Sequence, residues 1–147
     1  MKAEKSKIAA ALEGDTTLLN MLASNKPYYD PNGALAKVNS IIPAGKANGD
    51  MNMPFVTVKV GSATKIGYKF GDQVFYIRAY DSKERSYISI EEILERIKTL
   101  LDNYTLSFTN YGNAVPVKLK YEGSLPEQED QPLDLNFGEN IFRLYSI

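Results

Sequence analysis

Phe75-Tyr76-Ile77-Arg78-Ala79-Tyr80-Asp81, followed shortly by Ser89-Ile90-Glu91-Glu92-Ile93-Leu94-Glu95-Arg96-Ile97-Lys98-Thr99-Leu100-Leu101, decides the fold class of this chain. The first run belongs to a segment, Gln73 to Tyr80, rich in β-branched and aromatic residues, and such composition favours a strand. In the second, Ile90, Ile93, Leu94, Ile97, Leu100 and Leu101 draw one apolar stripe, which predicts an amphipathic helix from about Ile90 to Leu101. Ser89-Ile90-Glu91-Glu92 has the form of a capping box, in which hydroxyl and carboxylate satisfy the first free N–H groups of the helix. A strand passing into a helix of this kind requires a sheet with a helix laid on it.

Upstream, Pro54 to Val60 reads as a strand with Phe55, Thr57 and Lys59 on one face and Val56, Val58 and Val60 on the other. Ile66 to Phe70 alternates in the same way, and Gly71-Asp72 predicts a hairpin joining it to Gln73–Tyr80. Ser24 to Asn52 is dense in turn residues, with a short strand expected at Ser40 to Ile42. Before it, helical spacing predicts helices at Lys2 to Glu13 and Thr16 to Ala23, broken at Gly14, with Asp15 capping the second. Downstream, strands are expected at Tyr104 to Phe108, Val115 to Tyr121 and Ile141 to Tyr145. Residues 122–138 contain Gly123, Pro126, Pro132 and Gly138, with five acids and no base, and predict a long exposed acidic loop. The expectation is one α+β domain over 1–147. Its mostly antiparallel sheet is flanked by the N-terminal helices and one central amphipathic helix, with 24–52 as a turn-rich insertion.

The 147 residues suffice for a hydrophobic core, and 17 basic against 18 acidic residues give a net charge of −1. That balance argues against sequence-specific nucleic-acid binding, which needs a basic excess to displace counterions. The chain has no Cys and no His, which removes disulfides, thiolate and imidazole catalysis, and zinc sites built on those residues. No apolar stretch has the length of a secretory signal core or a membrane span, so a soluble protein made in the cytoplasm, without membrane contact, is expected. No glycine pattern matches a phosphate-binding loop. Neither enzymatic activity nor a cofactor or metal is expected.

Glu91, Glu92 and Glu95 share helix positions with Arg96 and Lys98 and read as a solvated face. Asp30-Pro31-Asn32-Gly33 lacks the downstream ligands of a calcium loop and reads as a turn. Glu127, Glu129, Asp130 and Asp134 would collect a divalent cation if they converged. In a second reading they form a flexible arm that packs, with Leu133, Leu135 and Phe137, on a neighbouring subunit. Lys59, Lys65, Lys69 and Arg78 would make a local basic face on adjoining strands. The ten tyrosines, several near predicted element ends, suit interfaces as well as core rims. The expected contact surface is therefore Tyr68, Phe70, Tyr76 and Arg78 of the strand pair together with Glu127, Glu129, Asp130, Leu133, Leu135 and Phe137, beside the turn-rich segment.

Three stretches resemble the small tail-completion, or tail-terminator, proteins of long-tailed bacteriophages and prophages. Ile8-Ala9-Ala10-Ala11-Leu12-Glu13-Gly14-Asp15 with Leu18, Leu19 and Leu22 is similar to that family's broken opening helix. Asn52-Met53-Pro54-Phe55-Val56-Thr57-Val58 is similar to its proline-aromatic lead into the first long strand, and Phe75–Asp81 with Ile90–Leu101 to its strand-to-helix passage. The turn-rich 24–52 segment and the acidic 122–138 segment are bulkier than the leanest members need. The resemblance implies a virion protein of the neck, assembled in the host cytoplasm. It would form a homo-oligomeric ring, commonly a hexamer, that caps the tail tube and meets the head-side connector, without reaction or cofactor. A head-closure subunit nearer the portal is the alternative within the virion. Outside it stand a metal-dependent enzyme using Glu127, Asp130 and Asp134, and a small-molecule or peptide-binding module on the aromatic strands.

Overall fold

The computed structural model describes residues 2–61, 73–110 and 112–146. The expected strand Ile66–Phe70 and its hairpin, with Lys65, Tyr68 and Lys69, lie outside the described residues, as does Tyr111. The described elements run α1 (Lys2–Glu13), α2 (Thr16–Asn20), β1 (Ile41–Pro43), β2 (Phe55–Val60), β3 (Val74–Ser82), α3 (Ile88–Leu101), β4 (Thr105–Asn110), β5 (Asn113–Asp130) and β6 (Leu135–Ser146). The strands form one six-stranded sheet of order β1-β2-β3-β6-β5-β4. The fold is α+β, and the sheet is mixed: β1 runs parallel to β2, whereas the other neighbours are antiparallel. No described helix is long and apolar enough to cross a membrane.

Asp15 caps α2 as its position predicts, its carboxylate accepting from the Leu18 N–H at 2.8 Å. The same carboxylate holds Arg96 of α3 through two hydrogen bonds, at 2.9 and 2.7 Å, so one side chain ties both elements together. α2 ends at Asn20 rather than Ala23, because Met21 closes it on Leu18 and the Ala23 N–H turns away to the Pro54 carbonyl. The guanidinium of Arg96 holds the Asp15 carboxyl below the usual carboxylate range. This lowered value means that the pair stabilises the fold at neutral pH, and that the contribution is lost as pH falls below about 4 and Asp15 protonates. Asp15→Ala is expected to cost about 1 kcal/mol at pH 7 and less at pH 3, measured by urea unfolding at both values.

The capping box does not form. α3 begins at Ile88, and Ser89 donates its hydroxyl to the Asp81 carboxylate at 2.6 Å. Asp81 is fully buried at the end of β3, and a buried carboxylate claims the nearby donor more strongly than an exposed helix terminus does.

The larger correction concerns 122–138, which is not a loop. β5 continues to Asp130, and β6 starts at Leu135 and pairs with β3 and β5 on its two sides. The register shifts between Tyr121 and Gly123 and again between Leu125 and Gln128, placing Gly123 and Pro126 at irregularities of a strand whose outer side carries no neighbour there among the described residues. An edge strand tolerates a missing N–H at such a point. The turn itself is short: Leu133 donates its N–H to the Asp130 carboxylate at 3.1 Å, and Asp134 takes a positive φ of 58°.

The sheet's alternation sorts two cores. On one face Val56, Val58, Phe75, Ile77, Phe142, Leu119 and Leu144 pack beneath α1 and α3, which bring Ile8, Leu12, Ile90, Ile93, Ile97 and Leu101. Burying so many large apolar side chains supplies the main driving force for folding. Gly138 and Asn140 of β6 lie directly under α3, and the Asn140 amide donates to the Leu94 carbonyl at 2.7 Å. On the other face Phe55, Ile42, Tyr80, Leu135 and Phe137 make a smaller core, roofed by Ala47, Met51, Met53 and Leu133. Both faces of β2 are therefore buried at Phe55 to Val58.

Candidate interaction surface

The second face carries a polar row. Thr57, Arg78, Glu139 and Leu125 are successive register partners across β2, β3, β6 and β5. Arg78 Nε donates to Glu139 Oε1 at 2.8 Å and Nη1 donates to the Tyr80 hydroxyl at 3.2 Å. The guanidinium also lies 4.2 Å from the Phe137 ring centroid, so its apolar faces are used as well as its edge. Burial works against the Arg78 charge, and the Glu139 and Tyr80 contacts more than restore it; burial also pushes the Tyr80 hydroxyl up. The Thr57 hydroxyl, in the same row, is buried without a hydrogen-bond partner among the described residues. This row is an internal brace: it fixes β3 to β6 across the middle of the sheet.

Of the residues expected at a contact surface, Leu135 and Phe137 are buried inside the subunit, and Leu133 roofs the smaller core. Asp130 is half-buried, accepting from the Leu133 N–H and, at 3.5 Å, from Tyr80. Tyr76 is half-buried on β3. Tyr68 and Phe70 lie outside the described residues. Glu127 and Glu129 are exposed on β5. Lys83 reaches Asp134 at 3.0 Å and Glu129 at 4.0 Å, and the Asp134 hydrogen bond holds its ammonium above the usual lysine range. No group of three acidic side chains among the described residues is placed to hold a metal ion.

Among the described residues, two stretches of sheet edge carry no strand neighbour. At the rows of Ile41, Ile42 and Pro43 the sheet runs from β1 across β2, β3 and β6 to β5, and β4 is absent because it pairs only with 113–118. On this stretch β5 is an edge strand whose charged residues and irregular register discourage indiscriminate pairing. Leu125 stands 46% exposed there. On the opposite side, a groove of about 400 Å³ runs beside β1, between Ala9 and Glu13 of α1, Tyr28, Tyr29 and Ile41–Pro43. Burial pushes the Glu13 carboxyl up. An adjoining depression of about 550 Å³ shares Tyr28 and carries Lys26 and Lys46. Tyr28 and Tyr29 meet edge to face at 5.2 Å and are exposed, Tyr29 to 78%.

The turn-rich segment that builds this side is pinned by Asn25, which composition alone does not single out. Its buried amide donates to Ser40 Oγ at 2.6 Å and to the Asn52 carbonyl at 2.9 Å, while its carbonyl oxygen accepts from the Asn52 N–H at 2.8 Å. Ser40 in turn donates to the Ala23 carbonyl. A network satisfied in this way gives the segment one conformation. The Asp30–Gly33 turn closes with the Gly33 N–H on the Asp30 carbonyl at 3.0 Å.

The far edge, β4, is guarded differently. On β4 the Ser107 carbonyl accepts from the Lys7 ammonium of α1. A lysine laid on an edge carbonyl blocks further strand addition at that point. Neither a protein-family model nor a curated protein sequence matches the chain.

Proposed function

We propose that this chain is a structural, non-enzymatic subunit that works by assembling into a closed ring, in the manner of phage tail-terminator proteins. On this reading it caps a tail tube, meets a head-side connector, and resides in the neck of the virion after assembly in the host cytoplasm. The observation that carries the reading is the pair of dissimilar free edges at opposite ends of the same sheet rows. Rings are built from heterologous contacts, in which one patch on a subunit meets a different patch on the next. A chain with one edge that exposes Glu127, Glu129 and Leu125 and another that is grooved and walled by tyrosines supplies two unlike patches. The resemblance of the opening helix, the proline-led strand and the strand-to-helix passage agrees with this role, and the polar clusters on the sheet serve internal bracing.

Light scattering coupled to size separation, across protein and salt concentration, tests the proposal. The expected mass is about six times the 16.4 kDa subunit, retained on dilution. A monomer at every concentration, with tail tubes absent and present, overturns it.

A further inference from the structure

We infer that the groove between α1 and β1 is a binding site for a small organic cation with an apolar body, its charged nitrogen meeting Glu13 and the rings of Tyr28 and Tyr29. The inference goes beyond the ring-forming reading and does not depend on it, because every group it uses belongs to one subunit. The groove holds about 400 Å³, and among the described residues Glu13 is the one charged side chain that lines it. That carboxylate ends α1, whose last turn carries no basic residue. The C-terminal carbonyls of a helix form its negative pole, so Glu13 is placed against the field of its own helix. Its carboxylate makes no ion pair or side-chain hydrogen bond among the described residues, whereas Asp15 close by is taken up by Arg96. Burial pushes the Glu13 carboxyl up with no cation to offset it. A positively charged ligand relieves all of these at once.

The rest of the groove supplies what such an ion needs. Tyr28 and Tyr29, 48% and 78% exposed, meet edge to face at 5.2 Å and form an aromatic corner; the faces of such rings attract ammonium groups. Ile41, Ile42 and Val58 supply apolar lining. Because the Asn25 network and the Asp30–Gly33 turn already hold the tyrosine segment, docking orders little new chain. Lys26 and Lys46 stand with Asp50 in the adjoining depression and do not line this groove. The occupant is a small ion rather than a protein strand, since β1 spans three residues and ends at Pro43, which has no N–H for an added strand to pair with. The volume also lies in the range of small-ligand sites.

Saturation-transfer NMR of the full chain with 2-phenylethylammonium, and with 2-phenylethanol as its neutral counterpart, tests this. The ammonium ion is expected to bind with a Kd on the order of 1 mM, and the alcohol about fivefold more weakly. Glu13→Gln, a change at an exposed helix end, is expected to weaken the ammonium ion about threefold and to leave the alcohol unchanged. Tyr29→Ala is expected to weaken the ammonium ion by a similar factor. Equal affinity for ion and alcohol overturns the inference, as does an ammonium affinity that neither variant changes while circular dichroism shows both folded. An alanine pentapeptide with a central lysine that binds more tightly than the free ion overturns it in favour of a protein segment. The ring reading is judged by mass alone, so a ring that binds no cation and a monomer that binds one separate the two claims.

Discussion

Replacing Arg78 by methionine lowers stability by about 3–5 kcal/mol, the largest loss expected of a single polar substitution in this protein. Glu139 is buried in the middle of the sheet with Arg78 as its ionic partner at 2.8 Å. Taking the guanidinium away leaves a largely buried carboxylate without its ion-pair partner, and it removes the cation from the Phe137 ring. The attraction within the pair matters less than the charge stranded when one member goes. For that reason Arg78→Met with Glu139→Leu is expected to recover most of the loss, since apolar replacement of a whole buried pair is often near neutral. Urea unfolding of the two single variants and the double variant measures this. A single-variant loss below about 0.5 kcal/mol, as at ordinary surface sites, would sink the argument.

Gly138→Val is expected to cost about 3 kcal/mol, through crowding rather than through lost contacts. A Cβ at this position would stand 2.6 Å from Leu94 Cδ1, 2.8 Å from Ile90 Cγ2 and 2.8 Å from the Pro126 carbonyl oxygen. The leucine can swing away; the Pro126 backbone and the stiff isoleucine cannot do so cheaply. Gly138 is thus what lets α3 lie close on β6. Combining Gly138→Ala with Leu94→Ala should cost less than the two changes added, because each relieves the other's misfit, and thermal unfolding of the three variants reads the difference. Strict additivity would show that the helix does not press on this residue.

Local pattern made much of this fold legible. The apolar stripe of Ile90–Leu101, the Asp15 cap and the Val-rich strand at Phe55–Val60 are short-range signals, and each appears within a residue or two of its expected bounds. What pattern hid was decided by position in the sheet. Pro126 and Gly123 speak for a loop when read alone, yet an edge strand accommodates both. Ser89 has the form of a cap, but Asp81, folded against it from the preceding strand, takes its hydroxyl. Exposure divides the residues expected at a contact surface in the same way: Glu127 and Glu129 remain outside, whereas Leu135 and Phe137, which alternate like an exposed arm, turn into the smaller core. Tyr28, Tyr29 and Lys26 carry no local signal of their own, because their placement beside β1 depends on the long-range bonds of Asn25 to Ser40 and Asn52.

The place of β6 has a consequence for how the chain acquires its shape. Among the described strands it alone pairs with both β3 and β5; without it the remaining described strands fall into two separate groups, β1-β2-β3 and β4-β5, with no ladder between them. A two-stranded unit is marginal in water, and β3 meets its β6 partners far along the chain, from Leu135 opposite Ser82 to Arg143 opposite Val74. Productive folding therefore waits for the C-terminal strand to slot between halves already made. That ordering favours slow, concerted closure over stepwise growth from the amino terminus. Until closure, the flanks of β3 and β5 that β6 will occupy are open to other chains, so the chain is most exposed to indiscriminate association just before its sheet is finished.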